Sequence, residues 1–316
     1  MRNYRIAFAG LGSIAKRHLK NVTDCLTTRG DMFEIDLYRS SVSKDLPDDI
    51  KPLVSNQYLF AEGAQKNYDV IFVTNPTSMH YETLKKFKAH TKSFFIEKPI
   101  FDSTEIDVSI FKELREIVCY VACPLRYNSV LRYVKENIPL DKVISAKAMS
   151  SSYLPDWRPG QDYRQCYSAK RSLGGGVGID LIHEWDYLTH FFGIPELCYS
   201  IQDKISDLEI DSDDIAVYIA KTKSTVIELH LDYFGRKPMR TLDLFMPEDT
   251  VHCDILEGTV TYLKENRTFT FDSERNSYQV REIEHFVDII NGVSSNDSTA
   301  EHAYEVLRLA KGEYIK

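Results

Sequence analysis

Apolar residues fall in short solid blocks over the first third of the chain and at every second position over much of the remainder. Residues 4–9, 33–38, 70–74, 93–97 and 119–122 are such blocks, with helical stretches between several of them, and they predict five strands of a parallel sheet covered on both faces. Beyond Arg126 the texture changes. From Lys142 to about Lys264 many segments alternate, most clearly at 225–233, where Ile227, Leu229, Leu231 and Tyr233 share one face and Glu228, His230 and Asp232 the other. Period-two patterning of this kind marks an antiparallel sheet with one more polar face. A helix is predicted over 177–192, and the tail, 282–311, returns to helix with a loop near 292–298. The reading is α/β: a first domain over 1–122 and a second over 123–316, with the last helix a candidate to pack back on the first.

A length of 316 residues suits two such domains. The formal charge of -8 argues against nucleic acid as a partner, because neutralising phosphates takes a basic face. No apolar run approaches a membrane span and the N-terminus carries no signal-peptide pattern, so a cytoplasmic address with no membrane partner is expected. Six scattered cysteines, without C-x-x-C spacing or neighbouring His pairs, indicate neither a disulfide framework nor a metal site.

The first strand stops at Gly10-Leu11-Gly12-Ser13-Ile14-Ala15. A dinucleotide fingerprint needs one Gly for the tight turn, a second for approach of the pyrophosphate to the backbone, and a small third residue where helix meets strand. Gly10, Gly12 and Ala15 fit these roles, and the helix that follows points its free N–H groups and dipole at the phosphates. The second strand ends at Tyr38-Arg39-Ser40, where an NAD enzyme places an acid on the ribose. A cation and a hydroxyl there suit a 2′-phosphate, so NADP is preferred over NAD. The rival ribose ligand is Asp36, which lies nearer the expected spacing but in mid-strand.

Together with Thr74-Asn75-Pro76-Thr77-Ser78-Met79-His80, Glu97-Lys98-Pro99 and the run Gly174-Gly175-Gly176 leading to Asp180 and His183, this fingerprint resembles the glucose-fructose oxidoreductase and inositol dehydrogenase family (Gfo/Idh/MocA) over nearly the whole chain. The resemblance implies a Rossmann doubly wound sheet joined to an open-faced α/β domain, a nicotinamide cofactor in the crevice between them, and a sugar or polyol substrate. It places Ser13, Ile14, Thr74, Asn75, Pro76, His80 and Glu97 beside the cofactor, and Arg126 and Tyr127 at the entry to the second domain, facing substrate.

Hydride transfer to or from a carbinol carbon needs a proton carrier and a cation to polarise the oxygen. Lys98, at the carboxyl end of a strand, is the candidate cation, with Glu97 to fix it or to bond the cofactor; the Lys98-Pro99 bond is a candidate cis peptide. His183 is the candidate acid/base, and Asp180, three residues earlier on the same expected helix, shares its face. The family spacing of these two is four, so the contact of Asp180 is the point of departure; Asp186 is a candidate to share the role. The glycine run lets backbone and ligand approach closely, or serves as a hinge.

The stretch 153–171 supplies Trp157, Tyr163, Arg158 and Arg164, with Tyr167, Lys170 and Arg171 behind them. Aromatic faces pack on sugar rings and Arg forks hold carboxylate or phosphate, which points to an anionic sugar; the competing reading pairs these arginines with local acids such as Asp156 and Asp162. The stretch is also similar to a subgroup of the family tied to surface-glycan and nonulosonic-acid pathways, implying a sugar nucleotide or acidic amino sugar. Two other functions stay open: an NADP(H)-binding sensor without turnover, and an enzyme that recycles bound cofactor for epimerisation, elimination or glycoside cleavage. An apolar open sheet face needs cover, so a homodimer or homotetramer is expected.

Overall fold

A computed structural model describes residues 1–43 and 45–313; residues 314–316 of the second predicted domain lie outside it. The helices are α1 (Ser13–Thr28), α2 (His80–Phe87), α3 (Ile110–Glu113), α4 (Ser129–Asn137), α5 (Val177–Asp180), α6 (His183–Phe192), α7 (Arg275–Ile290) and α8 (Ala300–Ala310). The chain forms two compact units, Met1–Ala122 with Gln279–Tyr304, and Cys123–Tyr278 with the residues from Glu305 onward.

The first unit is a doubly wound parallel sheet of β1 (Asn3–Ala9), β2 (Met32–Arg39), β3 (Asn56–Leu59), β4 (Val70–Val73), β5 (Ser93–Ile96) and β6 (Val118–Val121), in the order β3-β2-β1-β4-β5-β6. Every residue of β4 and β5 is buried, as solid apolar runs require when both faces are covered. The sixth strand, β3, is absent from the sequence reading: Asn56-Gln57-Tyr58-Leu59 is a half-buried edge whose polar residues carry no apolar signal. Phe8, Phe72, Phe95 and Tyr120 are register neighbours in one cross-strand row, with successive ring centroids 4.5, 4.9 and 5.4 Å apart. Phe286 of α7 covers that row, 5.1 Å from Phe95 and 5.5 Å from Tyr120. The helix that completes this core is thus α7, drawn from the far end of the chain, while α8 runs across the boundary at Tyr304.

The second unit is an eight-stranded sheet of β7 (Ser145–Tyr153), β8 (Leu197–Asp203), β9 (Ile215–Lys221), β10 (Val226–Asp232), β11 (Phe234–Phe245), β12 (Thr250–Asp254), β13 (Thr259–Tyr262) and β14 (Arg267–Thr270), in the order β14-β13-β12-β11-β7-β10-β9-β8. All its pairs are antiparallel except β7 with β10. Ile227, Leu229 and Leu231 are buried as the alternation requires, and Tyr218 on the same face packs against Trp185 of α6. Asp232 departs from the pattern. At the strand end it turns inward to accept from the Ser151 hydroxyl and from the Phe234 and Gly235 backbone N–H groups.

The single helix expected over 177–192 is broken. Leu181 and Ile182 separate α5 from α6, with the N–H groups of Ile182 and Glu184 bonding three residues back, to Ile179 and Leu181. Neither Gly nor Pro marks the break, so apolar periodicity reads straight through it. In such a tightened turn residues three apart eclipse one another, which accommodates the short Asp180–His183 spacing.

Candidate active site

In the first unit, strand order reverses between β1 and β4, and the segments leaving the carboxyl ends of β1, β4 and β5 gather the predicted residues at that switch point. Gly10 sits at φ +100, and a Cβ there would stand 2.7 Å from the Asn75 Cα, so only glycine fits between the two turns. Its N–H donates to the Tyr38 carbonyl at 2.9 Å, and the Thr74 hydroxyl donates to the carbonyls of Ala9 and Gly10, both at 3.2 Å. Gly12 caps α1 without a side-chain bond, has no neighbour within 4 Å of a would-be Cβ, and is followed by a first turn with no acid. Ser13 is exposed, Ile14 half-buried and Ala15 wholly buried against the sheet. Sixteen residues of helix aim unsatisfied N–H groups into this open space, an arrangement that fits a dinucleotide pyrophosphate.

At the end of β2, Arg39 is half-buried and donates to Gln57 at 2.8 Å, with Ser40 exposed beside it. Asp36 is buried and held by Asn56 at 2.7 Å, the Tyr68 hydroxyl at 2.9 Å and Lys66 at 3.1 Å. Three donors tie this buried carboxylate into the sheet, which argues against Asp36 as a ribose ligand.

His80 opens α2, buried, with one ring nitrogen on the Asn75 carbonyl and the other on that of Ile100, both at 3.1 Å. Burial lowers its pKa, although the two carbonyls act against the shift. The ring ties the turn after β4 to the turn after β5, and its nitrogens face backbone rather than open space. The Asn75 side chain donates to Thr83, and Pro76 leads into the following helical turn.

Glu97 and the half-buried Lys98 follow β5, and the Lys98-Pro99 bond is cis. The sequence reading missed the partner of Glu97. His18, buried on the inner face of α1 with its ring 4.9 Å from Phe95, bonds the Glu97 carboxylate through Nε2. Burial alone raises the pKa of Glu97, but His18 and then Lys98 overcome it and hold the carboxyl below its ordinary range. The signal was a histidine at position 18 among Ala15, Leu19 and Val22 on the apolar stripe of α1.

Because the folded pKa of Glu97 is depressed, its stabilising share is present above the ordinary glutamate range and is lost as pH falls through the folded value. His18→Leu strands the carboxylate and reverses the shift. The variant is expected to lose about 1–3 kcal/mol at pH 7, with the deficit shrinking towards acid. Urea unfolding at both pH extremes checks this; a deficit independent of pH contradicts it.

In the second unit Asp180, 6 % exposed, accepts from two phenols, Tyr167 on one oxygen and Tyr233 at 2.5 Å on the other. Burial first, and then the Asp180 charge, push both phenols up. Trp157 packs edge-on against Tyr233, with centroids 5.3 Å apart, and donates its Nε1 hydrogen to Ser152 at 2.9 Å. His183 heads α6, half-buried.

The arginines divide. Arg126, 7 % exposed, forks Asp186 at 2.8 and 2.6 Å, and the Cys123 thiol donates to the same carboxylate, so both Arg126 and Asp186 are spent on a buried ion pair. Arg164 pairs with Asp162 at 2.9 Å and Glu209 at 3.0 Å, and Arg171 with Asp213 at 2.7 Å. Arg158 is exposed and makes no ion pair among the described residues; its charge acts on Tyr167. Tyr127 is half-buried, and the Tyr163 hydroxyl accepts from the Glu209 N–H at 3.1 Å. In the glycine run, a Cβ on Gly175 would stand 2.2 Å from the Tyr167 carbonyl, so the close approach is of backbone to backbone.

A sheet in the order 3-2-1-4-5-6 with a glycine turn aimed at its switch point defines a dinucleotide-binding unit of the Rossmann class. Residues 4–121 match the family model described as "Oxidoreductase family, NAD-binding Rossmann fold" (GFO_IDH_MocA), so this stretch of the chain is similar to that family. Three solved structures share the fold across both units. UDP-N-acetylglucosamine 3-dehydrogenase from Acidithiobacillus ferrooxidans is 18% identical with a TM-score of 0.75, over 100% of this chain and 98% of its own. A levoglucosan dehydrogenase in complex with NADH and levoglucosan is 13% identical with a TM-score of 0.80, over 98% and 96%. The apo scyllo-inositol dehydrogenase from Lactobacillus casei is 16% identical with a TM-score of 0.76, over 99% and 96%. No curated protein matches the chain by sequence. Among the described residues, no helix is long and apolar enough to cross a membrane.

Proposed function

We propose that the chain is a cytoplasmic, NADP-preferring dehydrogenase or reductase acting on a secondary alcohol or ketone of an anionic sugar derivative, a sugar nucleotide or acidic amino sugar. The observation that carries this reading is Lys98, a cation at the carboxyl end of β5 in the same sheet whose β1 turn forms the dinucleotide cradle. The three solved relatives, which by their names act on a sugar nucleotide, an anhydrosugar and a polyol, support the substrate class.

When bound, the nicotinamide supplies the hydride acceptor or donor. Gly10, Gly12, Ser13, Ile14 and Ala15 hold the pyrophosphate against the N-terminus of α1, and Arg39 and Ser40 receive the 2′-phosphate. Thr74, Asn75, Pro76 and Glu97 shape the nicotinamide side, with His80 fixing the two turns that carry them. Lys98 polarises the carbinol oxygen and His183 takes or returns its proton, with Asp180 as the supporting carboxylate. Trp157, Tyr127 and Tyr163 offer faces to the sugar. Arg158 reads its negative group, since Arg126, Arg164 and Arg171 are already paired. Exposed Tyr199, Ile201 and Ile219 on the open face of the second sheet give a homodimer or homotetramer its contact; light scattering showing only the 36.5 kDa monomer would count against it.

A thermal-shift screen of sugar nucleotides and acidic sugars with NADP⁺ present, followed by reduced-nicotinamide absorbance on the hits, tests the reading. Substrate-dependent absorbance supports it; tight dinucleotide binding with no turnover of any sugar overturns it. Arg39→Ala is expected to weaken NADP(H) about tenfold while changing NAD(H) by about twofold or less. Calorimetric titration of both cofactors reads the difference.

A further inference from the structure

We propose that Tyr167 is a positioning residue that fixes the orientation of the Asp180 carboxylate. The inference rests on the proposed role of Asp180 and adds the group that holds it in place. The two phenols on this carboxylate have different origins. Tyr233 is fully buried where β10 passes into β11, and belongs to the core of its unit. Tyr167 comes from the loop ahead of the glycine run; the residue is 42 % exposed, yet its hydroxyl reaches inward to Asp180.

That loop is fastened at several points. The Ser168 carbonyl accepts from the Ser212 hydroxyl at 2.6 Å, the Arg171 N–H donates to Asp211 at 2.7 Å, and the Arg171 guanidinium bonds Asp213. Gly175 presses on it from the other side: a Cβ would stand 2.2 Å from the Tyr167 carbonyl and 2.6 Å from that of Ser168. The middle glycine of the run therefore lets the Tyr167 segment lie against the entry to α5, whose last residue is Asp180. A carboxylate accepting a phenol on each oxygen cannot rotate without losing both bonds. The other titratable and charged groups beside this cluster are Arg158 and Cys166, acting on Tyr167 and Tyr233 respectively, and His183 three residues on.

Tyr167→Phe keeps the ring and removes the donor. With the best-turned-over sugar of the screen, the variant is expected to lower kcat about tenfold while changing KM by about twofold or less, because the carboxylate loses its held orientation and the substrate contacts remain. In the full chain with ¹³C-labelled aspartate carboxyls at fixed pH, the chemical shift of Asp180, assigned by its loss in Asp180→Asn, is expected to move in the variant while the melting midpoint stays that of the parent chain. An unmoved Asp180 resonance, a loss carried by KM alone, or a Tyr167→Phe effect that persists in the Asp180→Asn background overturns the proposal. If Asp180→Asn keeps full turnover, the catalytic reading of Asp180 falls, while the carboxyl resonance still decides whether Tyr167 holds it.

Discussion

Replacing Lys98 by Ala is expected to lower kcat/KM about a thousandfold. An ammonium that polarises a carbinol oxygen stabilises charge that grows only in the transition state, so its loss falls on kcat more than on KM. Lys98→Arg is expected to recover little, because a planar fork replaces a point charge. The fold should survive the change with only the loss of the charge that helps to keep Glu97 ionised, since Lys98 lies after β5 rather than within it and the His18–Glu97 bond that anchors the segment remains. His183→Ala is expected to produce a loss of the same order through the missing proton carrier. Steady-state kinetics of the two variants on the sugar found by screening is the measurement, and wild-type turnover in both would remove the proposed chemistry.

Asp186→Ala should cost about 3–5 kcal/mol of stability, because it leaves the Arg126 guanidinium buried and uncompensated. The two side chains are 3 % and 7 % exposed, too enclosed for water to replace the lost carboxylate. Both tryptophans, Trp157 and Trp185, lie in the same unit, so urea unfolding followed by indole fluorescence reports on that unit alone. Replacing both partners by apolar residues of similar volume is expected to restore most of the loss, since the pair is costly to break but adds little over a packed apolar contact. A near-neutral Asp186→Ala would mean that Arg126 reaches solvent, and would return it to the set of residues open to substrate.

How much was legible in the chain follows from how local each signal was. The runs Val70–Val73 and Ser93–Ile96 announced themselves because strands buried on both faces must be apolar at every position. The turn at Gly10 was legible because its φ of +100 and its contact with Asn75 admit no other residue. The edge strand Asn56–Leu59 was not, since half of its surface meets water. The break at Leu181 and Ile182 was hidden because both residues are buried and apolar, as a continuous helix would also have them. The four arginines looked alike as candidates for an anion. Arg126 finds Asp186 sixty residues on, a separation that leaves no local mark, whereas Arg164 pairs with Asp162 two residues back, as the local-acid reading allowed, as well as with Glu209 forty-five residues on.

Local residue pattern sufficed for the alternating elements of the first unit, the glycine cradle, the charged pair Glu97-Lys98 at a strand end, and the period-two sheet of the second unit. Each follows from backbone geometry or burial acting within a few residues. It took the folded chain to bring α7 over the Phe8–Tyr120 row, His18 to Glu97, Asn56, Lys66 and Tyr68 around Asp36, and two phenols onto Asp180. These pairings depend on which distant segments the chain closure brings together, and a side chain's partner, unlike its periodicity, is a property of the folded surface around it.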